Sequence, residues 1–245
     1  MRLDQYLVNH FGFTRNKAQQ LIDSGLVLLN AKICNKSSFK IKEDDTVSIV
    51  EDRRVNWVSR SAEKLAGFFE VIQGKIVLEG KNCLDIGSST GGFTQVLLSL
   101  GVHHIDAVDV GTDQLHESIR QDSRVSSYEQ TDIRNFAIDH PYVYDIIVCD
   151  ASFISLSEII DSISVLSDGY TEIVLLYKPQ FEVGREHLRH TGVPKDPKIV
   201  EQKMKEFEGL LQLKYFNILK ILPSSLKGEA GNQEWIYWIQ KKSQN

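Results

Sequence analysis

Leu84-Asp85-Ile86-Gly87-Ser88-Ser89-Thr90-Gly91-Gly92-Phe93-Thr94 is the stretch on which the fold turns. It reads as a buried strand over 82–86, a glycine-rich turn, and a helix continuing through Leu100. That junction is where open α/β sheets bind ligands, and glycines there let the backbone come close to one. Gly92 is followed by Phe93 rather than Lys-Ser/Thr, so the turn is not a P-loop. Ser89 stands where a dinucleotide fingerprint has its second glycine. Asp85 closes the strand two residues before Gly87; a carboxylate there repels pyrophosphate and attracts a cation. S-adenosylmethionine carries a sulfonium and an ammonium and fits that sign. Taken alone, the run also reads as an ordinary tight βα turn.

Working outward, helices and apolar strands alternate. A helix over 61–72 precedes the turn; strand 104–110, helix 114–120, strands 125–128 and 144–149, helix 155–166, strand 171–177, helix 198–213 and strands near 215–222 and 234–240 follow it. This pattern predicts an α/β domain with parallel strands and helical crossovers on both faces. Asp109 closes the next strand, 24 residues after Asp85, near the spacing at which an acid reaches ribose hydroxyls. Asp132, in Thr131-Asp132-Ile133-Arg134, follows the third strand, where a carboxylate can accept the adenine amino group. Either acid alone reads equally as a solvated strand end, but acids at three successive strand ends favour a ligand cradle. Asp150 ends the buried run Ile146-Ile147-Val148-Cys149, and Lys178 ends Leu175-Leu176-Tyr177, so both are expected beside one pocket. A lysine closing an apolar strand is desolvated, which favours a neutral amine able to act as a base. The competing readings are a snorkelling lysine and, for Asp150, a cap on helix 155–166.

Residues 1–50 read as a separate small α+β unit, with 51–60 as the linker and 61–245 as the larger domain. Leu3, Tyr6, Leu7 and Phe11 recur at helical spacing until Gly12, and Thr14 caps a second helix carrying Ala18, Leu21 and Ile22 up to Gly25. Short strands follow at 26–29, 33–34 and 46–50, with a turn at Asn30-Ala31. The overall charge of −5 is split: residues 1–60 hold ten Lys/Arg against seven Asp/Glu, and residues 61–245 hold eighteen against twenty-six. A basic head on an acidic body suits a head that meets a polyanion.

Composition excludes other classes. With 42% apolar residues the chain supports a real core. No run approaches the roughly 18 uninterrupted apolar residues of a membrane helix. The start, Met-Arg-Leu-Asp-Gln, has no apolar signal core, so a cytoplasmic location is expected. Cys34, Cys83 and Cys149 lie far apart without Cys-x-x-Cys spacing, arguing against a disulfide framework or a zinc site.

The motifs SRSAEKL, LDIGSSTGGFT, VDVGTDQL, TDIR, CDASFISL, LLYKPQFEVG and GNQEW, spread over 61–240, resemble the TlyA family of rRNA 2'-O-methyltransferases, relatives of the FtsJ-type ribose methyltransferases. The head, with Arg2-Leu3-Asp4, Thr14-Arg15-Asn16-Lys17-Ala18 and Leu21-Ile22-Asp23-Ser24-Gly25-Leu26-Val27, resembles the S-four-type RNA-binding fold, departing from it at Thr14 and Ala31. The resemblance implies a class I (Rossmann-like) methyltransferase sheet of about seven strands with one late antiparallel strand. It implies a catalytic Lys-Asp-Lys-Glu set, here Lys64, Asp150, Lys178 and Glu234, with Glu229 a competitor outside the GN-x-E context. It also implies S-adenosyl-L-methionine as cofactor, held by Asp85, Gly87, Ser88, Ser89, Thr90, Gly91, Gly92, Phe93, Asp109, Val110, Asp132 and Ile133, with no metal. Arg2, Arg15, Lys17, Lys32, Lys36 and Arg60 are the expected RNA contacts. The implied substrate is a cytidine 2'-hydroxyl in 23S rRNA within the large ribosomal subunit. Modification of 16S rRNA as well is disfavoured, because members that do both are longer. Susceptibility to tuberactinomycin-type antibiotics would follow, and no obligate protein partner is expected. Three rivals compete: a membrane-lytic haemolysin, a label this family has carried; a non-catalytic assembly factor; and a pseudouridine synthase, which shares the head. The absence of a spanning segment disfavours the first, the intact tetrad the second, and the Asp-x-Gly turn with paired lysines the third.

Overall fold

The computed structural model describes residues 1–228 and 230–242, so the competitor Glu229 lies outside the described residues. The chain divides into two compact units, Met1–Arg60 and Ser61–Asn245.

In the first unit, α1 (Leu3–Phe11) ends at Gly12 in the left-handed conformation, and α2 (Arg15–Asp23) starts at Thr14, whose hydroxyl accepts from Lys17 N at 3.2 Å. A three-stranded antiparallel sheet follows, from β1 (Val27–Leu29), β2 (Lys32–Ile33) and β3 (Val47–Ile49) with β1 in the middle. Leu3, Leu7, Ala18, Leu21, Ile22, Leu26 and Val27 form the core. The β1–β2 turn places Asn30 and Ala31 at φ 51° and 62°. Such a turn favours glycine at its second position. Asn30 secures it by donating to Asp45 at 2.7 Å and accepting from Thr46 N at 2.9 Å. Residues 51–60 hold a 3-10 turn, Arg53–Asn56, and group with this unit.

The second unit is an α/β sheet. In chain order it contains α3 (Ser61–Ile72), β4 (Asn82–Ile86), α4 (Gly92–Ser99), β5 (His104–Val108), α5 (Glu117–Arg120), β6 (Val125–Tyr128) and α6 (Ile133–Asp139). Then come β7 (Ile146–Cys149), α7 (Leu156–Val165), β8 (Glu172–Tyr177), α8 (Pro179–Glu182), α9 (Pro197–Leu213), β9 (Phe216–Pro223) and β10 (Trp235–Lys241). The strand order is β6-β5-β4-β7-β8-β10-β9, with β4, β5, β6, β7 and β8 parallel and β10 antiparallel to both its neighbours. The expected class I sheet is therefore present, late antiparallel strand included.

The order reverses between β4 and β7, the switch point at which such sheets open a crevice. Every residue of β7 and nearly all of β8 is buried, as strands covered on both faces must be. Two short helices escape the sequence pattern. α6 begins where Asp132 reads as a free acid, and α8 begins at Pro179, which suits a first helical position because it needs no N–H donor.

Candidate active site

Register brings the functional strand ends together. Ile86 pairs with Cys149 and Cys149 with Leu175, so Asp85, Asp150 and Lys178 close three adjacent strands. Trp235 pairs antiparallel with Tyr177, which sets Glu234 beside Lys178 at the same sheet edge. Four residues spread over 170 positions thus make two buried ion pairs. Lys64 Nζ, reaching in from α3, lies 2.5 Å from Glu234 Oε2. Lys178 Nζ lies 2.8 Å from Asp150 Oδ1, an ion pair outside aligned hydrogen-bond geometry, and donates to Asp150 O at 3.0 Å and Ser152 Oγ at 2.7 Å. Gln180 Nε2 donates to the second oxygen of Glu234 at 3.3 Å. Each lysine has its own carboxylate. Lys64 is thus a compensated charge rather than a bare one facing Lys178.

A cavity of about 330 Å³ opens at the switch point, and of the four paired residues Asp150 lines it while Lys64, Lys178 and Glu234 do not. Gly87, Ser89, Asp109, Val110, Asp132, Ile133 and Asp150 line it, as expected from sequence. Gly111, Gln114, Ser152 and Phe153 line it too and were missed, although all four lie inside the VDVGTDQL and CDASFISL motifs. Asp109 shapes the wall: Oδ2 accepts from Ser89 N at 2.8 Å and Oδ1 from Gly111 N at 2.7 Å. Asp132 caps α6 and is held bidentately by Arg134, with Arg134 Nη2 at 2.6 Å, so its carboxylate is more committed than the sequence reading supposes.

Several expected cofactor residues do not face the cavity. Gly91 caps α4 at φ 91°, Gly92 and Phe93 are buried in that helix, Ser88 is buried, and Thr90 is exposed with its carbonyl accepting from His116 N. Asp85 is fully buried behind the turn, where Thr94 Oγ1 donates to its Oδ2 at 2.6 Å and its Oδ1 has no partner. Burial pushes the Asp85 carboxyl up to about 7, with the Asp150 charge adding to the rise and the Thr94 hydrogen bond opposing it. The unfolded chain then releases this proton first, near pH 4. Asp85 therefore withdraws stability as pH rises from about 4 to about 7. Asp85→Asn is expected to raise the melting temperature more at pH 8 than at pH 5. Equal shifts at both pH values would remove this titration.

The residues fit a cationic, polyhydroxylated cofactor of adenosylmethionine type. The cavity falls within the few-hundred-Å³ range of small-ligand sites, about 300–1,000 Å³. A Cβ on Gly87 would stand 2.8 Å from Ala151 Cα, so the turn and the β7 loop already touch at the cavity wall. The orphaned Asp85 oxygen is an unsatisfied acceptor behind that turn.

In the first unit the candidate RNA contacts differ in availability. Arg15, Lys32 and Lys36 are exposed, and Arg60 is half-buried. Arg2 is gripped by Asp4 through two hydrogen bonds of 2.9 and 2.7 Å. Lys17 Nζ donates to Trp57 O at 2.6 Å, and burial holds its pKa below the usual lysine value. One donor of the Lys17 ammonium is thus committed within its own unit.

A mostly parallel seven-stranded sheet, a glycine-turned cavity at its switch point without a phosphate-binding lysine, and two buried lysine–carboxylate pairs at the same strand ends define a class I methyltransferase. The chain belongs to the FtsJ-like methyltransferase family, matched over residues 57–241, and carries an S4 domain over residues 1–47. It is 37% identical to the 23S rRNA (cytidine-2'-O)-methyltransferase TlyA of Campylobacter jejuni, across 98% of this chain and 100% of that one. Its identity to the 16S/23S rRNA (cytidine-2'-O)-methyltransferase TlyA of Mycobacterium tuberculosis is 34%, across 99% and 90%. A solved structure from Streptococcus thermophilus, described as a hemolysin, superposes with a TM-score of 0.74 at 32% identity, covering 99% and 89%. Among the described residues no helix is long and apolar enough to cross a membrane.

Proposed function

We propose that this protein transfers the methyl group of S-adenosylmethionine to the ribose 2'-hydroxyl of a cytidine in 23S rRNA within the large ribosomal subunit. The observation that carries this is the Lys178–Asp150 pair at the cavity edge, joined through strand register to Lys64–Glu234. The Campylobacter jejuni and Mycobacterium tuberculosis relatives are both named for cytidine 2'-O-methylation and for 23S rRNA.

The bound cofactor would supply an electrophilic methyl on a sulfonium. Gly87 and Ser89 would hold its amino-acid end, Asp109 its ribose, and Ile133 with Val110 its adenine. Asp109→Ala is expected to weaken cofactor binding about tenfold or more, because it removes a ribose acceptor and frees the Ser89 and Gly111 amides it now organises. Calorimetry with S-adenosylmethionine reads this directly, and unchanged affinity would exclude Asp109 from the site.

A ribose hydroxyl is a weak nucleophile, so its proton must leave as the methyl arrives. Lys178 is the group proposed to take that proton as the neutral amine, or, as the ammonium paired with Asp150, to hold the developing oxyanion. Asp150 and Ser152 fix its amine in place, and Glu234 fixes Lys64. Alignment of this kind can contribute roughly 7–11 kcal/mol in favourable cases.

The N-terminal unit, residues 1–50 followed by a connector at 51–60, would dock rRNA through Arg15, Lys32 and Lys36. Phosphate contacts position without reading sequence, so binding should fall steeply with salt. Charge removal at Arg15 and Lys36 together should lower the log–log salt slope by about 1 per lost contact. An unchanged slope would move the docking surface elsewhere. The proposed target is tested by primer extension at low nucleotide concentration on 23S rRNA from wild-type and deletion strains. A stop present only in the wild type, one nucleotide short of a cytidine, is expected; identical stops would contradict the assignment.

A further inference from the structure

The loop after Asp150 and the short helix after Lys178 are tied together along their whole length. Lys178 Nζ bonds Asp150 O and Ser152 Oγ at the first end. In the middle, the rings of Phe153 and Phe181 lie 5.2 Å apart. At the far end, Glu182 on α8 accepts from Ser155 Oγ at 2.5 Å with Oε2 and from Leu156 N at 2.9 Å with Oε1. Nothing in the motifs themselves assigns a role to Glu182.

Helix capping alone does not account for this contact. The start of α7 already has a capping box, in which Ser155 Oγ accepts from the helix backbone and Glu158 reaches back to Ser155 N. What Glu182 adds is a link across to α8. The loop needs one, because Phe153 sits at φ 66° and is 92% exposed, with the Phe181 ring as its aromatic contact. A left-handed aromatic residue persists only where its surroundings enforce it. Glu182 itself is half-buried, and desolvation pushes its carboxyl pKa upward against the two hydrogen bonds. Both oxygens of a partly desolvated carboxyl are committed to one loop, which the loop's position explains.

We propose that Glu182 is a positioning residue for methyl transfer: it clamps the Asp150–Ser155 loop onto α8, so that Asp150 and Ser152 stay in register with Lys178. This rests on the reading of Lys178 and Asp150 as the reacting pair. The reach of the side chain matters and its charge does not. Gln at 182 keeps an acceptor for Leu156 N and a polar partner for Ser155. Asp keeps the charge but stops one methylene short.

The test measures kcat, both KM values, S-adenosylmethionine affinity and melting temperature for Glu182→Gln, Glu182→Asp and Glu182→Ala, using large subunits from a deletion strain. Glu158→Ala serves as the control that weakens α7 without touching the link. Glu182→Asp and Glu182→Ala should lose about tenfold or more in kcat, since a misplacement of about 1 Å can cost on the order of a hundredfold. Both KM values and cofactor affinity should stay within about twofold. Glu182→Gln and Glu158→Ala should keep kcat within about twofold of wild type. Equal kcat losses in Glu158→Ala and Glu182→Asp would reduce the role to helix stability and overturn the proposal, as would a normal kcat in Glu182→Asp. Lys178→Ala, run alongside, separates the two claims: if it is inactive while Glu182→Asp is normal, only the clamp fails.

Discussion

Lys178→Ala is expected to lower kcat by about 10²–10⁴-fold, the range typical of a positioned proton-transfer group. S-adenosylmethionine affinity and subunit binding should stay close to wild type. Nζ holds Asp150 Oδ1, Asp150 O and Ser152 Oγ within 3.0 Å, so truncation removes the base and loosens the loop it anchors. It also strands Asp150, and removing one partner of a buried pair costs about 3–5 kcal/mol. Melting temperature must therefore be recorded with the rate. Lys178→Arg is the informative companion, because it keeps Asp150 compensated yet stays protonated at any usable pH. Both variants should show that loss of rate, and only alanine should be much less stable. Substantial methylation by Lys178→Arg would remove the proton-accepting role and leave electrostatic stabilisation.

The second large effect is expected at Gly87. Its φ of 77° already disfavours a side chain, and an added Cβ would press on Ala151 Cα at 2.8 Å and Ala151 N at 2.9 Å. These are backbone atoms, so the turn after β4 or the loop carrying Asp150 has to move. Gly87→Ala should abolish measurable cofactor binding and cost about 2–3 kcal/mol of stability. At about 2–4 °C per kcal/mol for a domain of this size, calorimetric melting resolves such a loss. Gly80→Ala isolates the steric part, since Gly80 has φ 74° and a Cβ added there would meet nothing within 4 Å. Gly80→Ala should destabilise less and bind cofactor normally. Equal behaviour of the two variants would assign the effect to backbone strain alone.

Much of the sheet was legible because its signals are local. An apolar run ending in an acid, a glycine turn and an amphipathic helix recur often enough to predict the parallel strands and the strand-end placement of Asp85, Asp109 and Asp150. What escaped the residues themselves was pairing. That Lys64 meets Glu234, or Lys17 the carbonyl of Trp57, depends on which segments the fold brings together across 170 and 40 positions. The antiparallel β10 and the roles of Lys64 and Glu234 came from family resemblance, since alternation of elements carries no direction for the last strand. Asp132 shows the opposite failure. Its local signal was present, an acid two residues before Arg134 at the head of α6, but a helix of seven residues is too short for apolar periodicity to announce it. Asp85 was placed at the right strand end, and the structure adds that it is fully buried there. Strand position fixes height in the sheet, whereas the Thr94 hydroxyl nine residues on decides that the carboxylate turns under the loop.

The destination of the methyl group is the central claim. The direct measurement incubates the purified protein with methyl-labelled S-adenosylmethionine and large ribosomal subunits from a deletion strain. Nuclease digestion and mass spectrometry of the 23S rRNA then locate the label. Incorporation is expected as 2'-O-methylcytidine at a single site, absent with Lys178→Ala. Label on a nucleobase or on ribosomal protein, or no transfer by a folded, cofactor-binding enzyme, would contradict it.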